Sequence, residues 1–231
     1  MKEPSVTRLV LGAIASNCWL IPLPLDSPIV PERAASTTSR RPCAVIDPGG
    51  EPEVIIARMG RLNLYPSVIL LTHSHFDHIA ALPDLAEAFA ADKPEIAIHR
   101  DDASGLGPDA YHVHKEIFTA AGGAAFVDEY WKSMPSPTRL LTEGEMAGPF
   151  KALHLPGHTP GSMGFLLEDA GILFSGDTLF HGGVGRVDLP GGSEEQLRES
   201  ISRLFALDPG IIVYPGHGPA TTIGAEAVLY R

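Results

Sequence analysis

The sequence predicts an α+β domain built on two sheets, and three observations point there. Short β-type runs come first and then alternate with helical patterns. A second group of three β runs follows residue 150 and leads into a helix with a marked start. The 231 residues are 44% hydrophobic and only 19% charged, enough to bury a sizeable core and too apolar for disorder. The expectation is one domain spanning 1–231.

Residues 6–12 and 17–21 read as strands joined by a turn. Residues 22–42, rich in Pro, Ser, Thr and Arg and including Ser36-Thr37-Thr38-Ser39, read as an exposed loop or hairpin tip. Residues 43–46 return as a strand and end at the turn Asp47-Pro48-Gly49-Gly50. Helical periodicity covers 53–62, and 68–71 is the continuous β-branched and leucine run of a buried strand. A helix is then expected to about residue 91, and a short strand at 96–99. Residues 100–145 read as an irregular excursion near the site, with one helix around 114–121. Residues 150–155, 164–167 and 171–175 form the second sheet's strands. Residues 193–207 are a helix: Ser193 is its N-cap, Gln196 completes a capping box, and Leu197, Ile201, Leu204 and Phe205 share one face. A last strand at 211–214 and a closing helix at 221–230 finish the pattern.

Lys plus Arg number 17 against 28 Asp plus Glu, a formal net charge of −11. That balance excludes broad contact with nucleic acid or an anionic membrane, which needs clustered cations. Cys18 and Cys43 are the only cysteines, too few for a disulfide scaffold or a cysteine-rich zinc fold. Two buried free thiols in a reducing, cytoplasmic setting are expected. The apolar stretch 9–25 is broken by Asn17, Pro22 and Pro24 and reads as strand rather than targeting signal. No segment reaches the ~20 uninterrupted apolar residues of a membrane span.

Ten histidines stand out in so acidic a chain. His73-Ser74-His75-Phe76-Asp77-His78 puts three imidazoles and a carboxylate within six residues. At strand spacing His73 and His75 point the same way and can share one metal. Asp77 and His78 fall where the chain turns into the helix and can reach a second position. Imidazole and carboxylate suit zinc-like cations, and no cysteine competes. A lone histidine here would more simply cap the helix; the density of the cluster argues for metal. His158, Asp177 and His217 each stand just past the end of an apolar run, flanked by glycine. Each alone reads as a turn residue. Functional groups in layered α/β folds collect at strand ends, so these loops are expected to converge.

These motifs resemble the metallo-β-lactamase fold superfamily, and within it the glyoxalase II-like hydrolases. The matching segments are Thr72-His73-Ser74-His75-Phe76-Asp77-His78, Gly157-His158-Thr159-Pro160-Gly161-Ser162, Gly176-Asp177-Thr178-Leu179-Phe180, Gly185-Arg186 and Gly216-His217-Gly218-Pro219. The resemblance runs from about residue 6 to the end. It implies a four-layer αββα sandwich of two mixed sheets flanked by helices, with a two-metal site. His73, His75 and His158 would hold the first metal, Asp77, His78 and His217 the second, and Asp177 would bridge. Two divalent ions are implied, zinc first, with iron or manganese as alternatives. The implied reaction is hydrolysis of a thioester, S-lactoylglutathione or a relative. A hydroxide between the ions, its pKa lowered from ~15.7 to about 7, would attack the carbonyl. Asp77 and Asp177 are the catalytic carboxylates of that scheme.

The chain departs from that family at several points. Full-length glyoxalase II enzymes carry a helical C-terminal domain whose basic residues hold glutathione; here only a short helix is expected after the last strand. Arg186 stands where the family binds the glutathione glycine carboxylate, but Asp188 replaces a frequent tyrosine two residues on. Arg186 therefore has two readings, a substrate contact or a loop ion pair. Phe180, beside His181, is the other candidate substrate contact, with core packing as its alternative. His99, His112, His114 and His154 have no motif context and read as surface or core residues, with His112 and His114, in the excursion at 100–145, able to reach the pocket.

A mononuclear-iron persulfide dioxygenase shares nearly all these motifs and is the alternative function; Leu189-Pro190-Gly191-Gly192 leans toward the hydrolase. A non-catalytic metal-binding scaffold is the lesser alternative. β-Lactam hydrolysis is disfavoured by Asp177, and a flavodiiron module by His75, where glutamate is typical. The expected partner is a small-molecule thioester, with no nucleic acid and no membrane; no oligomeric state is indicated.

Overall fold

The computed structural model describes residues 5–30 and 40–230. The predicted loop tip at Ser36-Thr37-Thr38-Ser39 lies outside the described residues. The chain opens with β1 (Thr7–Leu11), β2 (Ser16–Pro22) and β3 (Arg41–Ile46), which pair antiparallel. β4 (Leu64–Leu70), β5 (Glu95–His99) and β6 (Arg139–Leu141) then add in parallel, giving a six-stranded sheet in sequence order. Parallel neighbours need crossovers, and helices supply them. α1 (Pro52–Arg61) joins β3 to β4. α2 (Phe76–Ile79) and α3 (Leu82–Ala88) join β4 to β5, and α4 (Ala110–Ala120) and α5 (Ala124–Tyr130) join β5 to β6.

The second sheet holds β7 (Met146–Ala147), β8 (Phe150–His154), β9 (Met163–Leu167), β10 (Ile172–Gly176), β13 (Ile212–Pro215) and β14 (Thr221–Thr222), in the order β14-β13-β10-β9-β8-β7. Only β10 and β13 run parallel. Between them come a small hairpin of β11 (Leu179–Phe180) and β12 (Gly183–Val184) and then α6 (Glu194–Phe205); α7 (Ile223–Leu229) follows β14.

The period-two alternation of the strands sorts the core into layers. Trp19, Ile21, Ala44, Ile46, Val68 and Leu70 face inward and meet Phe150, Met163, Phe165 and Phe174 of the second sheet. Their neighbours Cys18, Leu20, Cys43, Val45 and Ile69 face outward onto Ile55 and Met59 of α1 and Leu82 and Leu85 of α3. On the far side Leu153, Leu166, Leu173 and Val213 lie under Leu197, Ile201 and Leu204 of α6. The molecule is thus a four-layer αββα sandwich of two mixed sheets. β4 is buried at every residue, because helices cover one face and the second sheet the other.

The structure refines several sequence expectations. The helix expected to residue 91 breaks into α2 and α3, with Pro83 in the first turn of the second, where its missing N–H costs nothing. The excursion at 100–145 holds a 3₁₀ turn (Arg100–Gly105), two helices and one short strand, β6, rather than one helix. Phe76 anchors it, with Phe118, Phe126 and Trp131 around its ring at centroid distances of 5.4–6.1 Å. Ser193 caps α6 as expected, accepting the Gln196 N–H at 3.4 Å. Among the described residues no helix is long and apolar enough to cross a membrane.

Candidate metal centre

β4 ends at Leu70, and an irregular loop carries the chain to His75, which precedes α2. Strand alternation therefore does not aim His73 and His75. Their rings instead meet edge-on, with centroids 4.7 Å apart. Asp77 and His78 lie in the single turn of α2, both buried. His158, Asp177 and His217 arrive on the loops that follow β8, β10 and β13.

The seven residues converge as two clusters. His73, His75 and His158 each offer a ligand atom within 4.8 Å of the others, and so do Asp77, His78 and His217. His158 Nε2 lies 2.9 Å from His75 Nδ1; His78 Nε2 lies 3.2 Å from His217 Nε2, which is 3.2 Å from Asp77 Oδ2. Asp177 stands between the clusters. Its Oδ2 is 3.6 Å from both His158 Nε2 and His217 Nε2, and its Oδ1 is 3.5 Å from His78 Nε2.

Hydrogen bonds behind the rings set which nitrogen faces the centre. Thr72 Oγ1 donates to Asp47 Oδ2 at 2.6 Å, so its 3.0 Å contact with His73 Nδ1 must be donated by the ring. His78 Nδ1 donates to the same Asp47 oxygen at 3.1 Å, and His158 Nδ1 to the Arg186 carbonyl at 2.8 Å. In their neutral forms all three rings then present a bare Nε2. Nothing in the sequence marked Asp47 beyond a turn, yet it also accepts the Thr72 N–H at 2.8 Å and sits at φ +52°. Asp102 was equally unmarked. It takes the N–H groups of Ser74 and Gly161 at 3.0 and 2.7 Å and the Thr159 hydroxyl at 2.8 Å, lashing the loop after β4 to the loop after β8. The one available signal was position: Asp47, like Asp177, follows an apolar strand.

Burial, then the imidazoles around it, pushes His73 well below the ordinary histidine range. Burial and His158 bring His75 to about 3. Burial also disfavours charge on His78, but the Asp177 and Asp77 carboxylates outweigh it and hold the ring well above its usual value. His217 is raised in the same way, burial being overcome chiefly by its hydrogen bond to Asp77 and by Asp177. Burial would raise the two carboxylates; the imidazoles, His78 first, instead hold Asp77 well below its ordinary value and Asp177 at about 2.

This donor set fits a pair of divalent ions. His73 Nε2, His75 Nε2 and Asp177 Oδ1 are buried without a hydrogen-bond partner, a costly state for polar atoms. Two imidazole nitrogens 2.9 Å apart need a proton or a cation between them. Neutral imidazoles with anionic carboxylates are what a borderline cation binds. Gly216 makes the approach possible: a Cβ there would lie 2.1 Å from Asp177 Oδ1 and 2.7 Å from His78 Cε1.

A cavity of about 410 Å³ opens over the centre, walled by Ile14, Phe118, Phe180, Val184 and Leu189. Phe180 lines it, its ring centroid 6.3 Å from that of His217. Arg186 also borders the cavity, but its Nε and Nη2 are each 2.7 Å from an oxygen of Asp188, so the loop ion pair is the arrangement found. His114 is a core residue, buried with Nε2 donating to the Gly105 carbonyl at 2.7 Å, and His112 is exposed. His99 and His154 stack on each other at 4.1 Å, away from the seven. Neither cysteine is bonded, and both are buried.

Comparison with known proteins agrees with this architecture. Residues 38–217 match the model of the metallo-beta-lactamase superfamily. The chain is 39% identical over 184 residues to the hydroxyacylglutathione hydrolase GloC of Haemophilus influenzae, spanning 79% of this chain and 83% of that protein. Among solved structures it is similar to TTHA1623 in a di-iron-bound form, with 36% identity, TM-score 0.78, and 96% of this chain and 97% of that one covered. The BLEG-1 B3 metallo-beta-lactamase is similar at 30% identity and TM-score 0.78, covering 97% of both. An αββα sandwich with its histidines and aspartates gathered at the strand ends, matched over that span, belongs to the metallo-β-lactamase superfamily.

Proposed function

We propose that this chain is a binuclear metallohydrolase that cleaves a thioester in the manner of glyoxalase II. The observation that carries the reading is Asp177, one carboxylate within 3.6 Å of imidazoles from both clusters. His73, His75 and His158 would hold one divalent ion, Asp77, His78 and His217 the other, with Asp177 between them and zinc the first candidate. Bound there, the ions supply Lewis acidity and a water ionised near neutral pH. The chain does the rest. Asp47 and the Arg186 carbonyl fix the ring tautomers. Asp77 and Asp177, anionic at neutral pH, would supply the negative charge that balances the ions. Phe180, Val184 and Leu189 give the substrate an apolar wall and limit solvent. Among the described residues no serine or cysteine lines this cavity, so those residues offer no side-chain nucleophile of that kind. The hydroxyacylglutathione hydrolase named among the relatives supports the thioester. The two free thiols support a reducing, cytoplasmic location.

The test is elemental analysis of the purified protein beside hydrolysis of S-lactoyl thioesters, S-lactoylglutathione included. About two divalent ions per chain and measurable turnover are expected, with Asp177→Ala losing both. One iron per chain with oxygen uptake on a persulfide would replace this reading by a mononuclear-iron dioxygenase. Undiminished turnover in Asp177→Ala would overturn the bridged arrangement.

A further inference from the structure

Among the described residues, Arg186 is the only lysine or arginine lining the cavity over the metal clusters. Its guanidinium is occupied along one edge, where Nε and Nη2 meet the two oxygens of Asp188 at 2.7 Å each. That edge is the fork that would otherwise clasp a substrate carboxylate. The pair carries no net charge, and a carboxylate brought to the guanidinium would face the Asp188 carboxylate as well. His75 also lines a second cavity, of about 180 Å³, so both cavities open onto the same cluster. That cavity is lined by Asp101, Asp102 and Glu116 and, among the described residues, by no lysine or arginine. Asp102 is committed to its three internal hydrogen bonds, while Glu116 is exposed and makes no hydrogen bond or ion pair among the described residues. A thiol carrier reaching out from the centre on either side therefore meets no unpaired lysine or arginine in either lining.

We propose that Asp188 is a specificity-determining residue, and that the preferred substrates are thioesters of neutral or cationic thiols rather than of carboxylate-bearing thiols such as glutathione. This rests on the thioester reading above and refines it. In the reaction water adds to the thioester carbonyl, a C–O bond replaces the C–S bond, and the products are a carboxylic acid and a free thiol that carries the sulfur proton. The metals act on the thioester group that all these substrates share. Discrimination must come from groups that meet the carrier; Arg186 lines the cavity, and Asp188 acts through it by holding its guanidinium.

The experiment compares three S-lactoyl thioesters on the metal-loaded protein, made with glutathione, N-acetylcysteamine and thiocholine. The wild type is expected to show a kcat/KM at least roughly fivefold lower for the glutathione ester than for the other two. Asp188→Ala releases Arg186 and is expected to raise the glutathione to N-acetylcysteamine ratio by about fivefold, mainly through KM. Arg186→Ala alone leaves that ratio unchanged, and combined with Asp188→Ala it cancels the gain. Calorimetric titration with the free thiols gives the same ranking as binding constants, independent of turnover. A wild type that prefers the glutathione ester and loses the preference in Arg186→Ala overturns the proposal. If none of the three esters is hydrolysed, the thioester reading is what fails, and the titrations still decide the carrier preference.

Discussion

The Asp47 carboxylate lies 3.1 Å from Nδ1 of His78, thirty-one residues away, and this contact turns Nε2 of that ring toward Asp177. The same oxygen takes the Thr72 hydroxyl, which in turn orients His73. One carboxylate outside the two clusters therefore sets the tautomer of a ring in each.

Asp47→Asn tests that relay. The amide keeps the shape but can present N–H where His78 Nδ1 now donates, favouring the tautomer with a hydrogen on Nε2. Metal affinity should fall about 10- to 100-fold, as is usual when a group supporting a ligand is lost. Competition against a chromogenic chelator measures it, with circular dichroism to show that the fold persists. Unchanged affinity would remove Asp47 from the scheme.

Gly216→Ala should be far more damaging than its size suggests. Its Cβ would be placed 2.1 Å from Asp177 Oδ1, so the carboxylate must move by an ångström or more. Displacements of that size cost about 100-fold in rate in well-organised sites. Gly183→Ala, with nothing within 4 Å of the added carbon, is the matched control. Equal activities in the two variants would show that Asp177 has slack.

Metal removal should lower stability, because ions held by the folded clusters as proposed would partner His73 and His75 Nε2, which are otherwise buried without a partner. A site loaded at 100 times its Kd adds about 2.7 kcal/mol. For a chain of this size, that corresponds to a fall in Tm of roughly 5–10 °C on chelation. Scanning calorimetry with and without chelator, then after zinc is restored, measures it. A Tm indifferent to chelator would show that the clusters hold no ion in the folded protein.

His114, which is not one of the seven cluster residues, supplies a further pH dependence, set by burial against its hydrogen bond to Gly105 and the nearby Asp77 carboxylate. Its Nε2 donates to the Gly105 carbonyl and its Nδ1 is buried without a partner; burial, against that hydrogen bond, keeps its pKa below the usual value. The unfolded chain binds the proton first. The stabilisation is therefore complete above about pH 6.5 and is lost as pH falls below it. His114→Leu should cost about 1 kcal/mol at neutral pH through the lost hydrogen bond. The gap to wild type should narrow as pH falls from 6.5 to 5 in urea titrations. A constant gap would mean that the ring is not protonated late.

The layers and the first cluster were legible because both depend on local pattern. The continuous apolar run at 68–71 announced a strand covered on both faces, and β4 is buried throughout. His73, His75, Asp77 and His78 are neighbours in the chain, so their meeting needed no knowledge of the fold. His158, Asp177 and His217 could be picked out because each interrupts an apolar run, as a polar group must where a strand leaves the core. β7 and β14, two residues each, carry no readable period and form only because a sheet edge offers unpaired N–H and C=O groups.

By itself, then, the sequence determined an α+β chain of two sheets and named the residues that could bind metal, because apolar periodicity and motif spacing are properties of neighbouring residues; the four-layer sandwich was implied only by the family resemblance. Tertiary structure alone decided how those residues are aimed and what remains free to touch a substrate. Asp47 reaches His78 across thirty-one positions and Asp102 reaches Thr159 across fifty-seven. An aspartate in a turn looks the same in the chain whether it merely closes the turn or orients a ligand. Arg186 had two readings in the sequence, and the folded loop, by setting its guanidinium against Asp188, chose the ion pair.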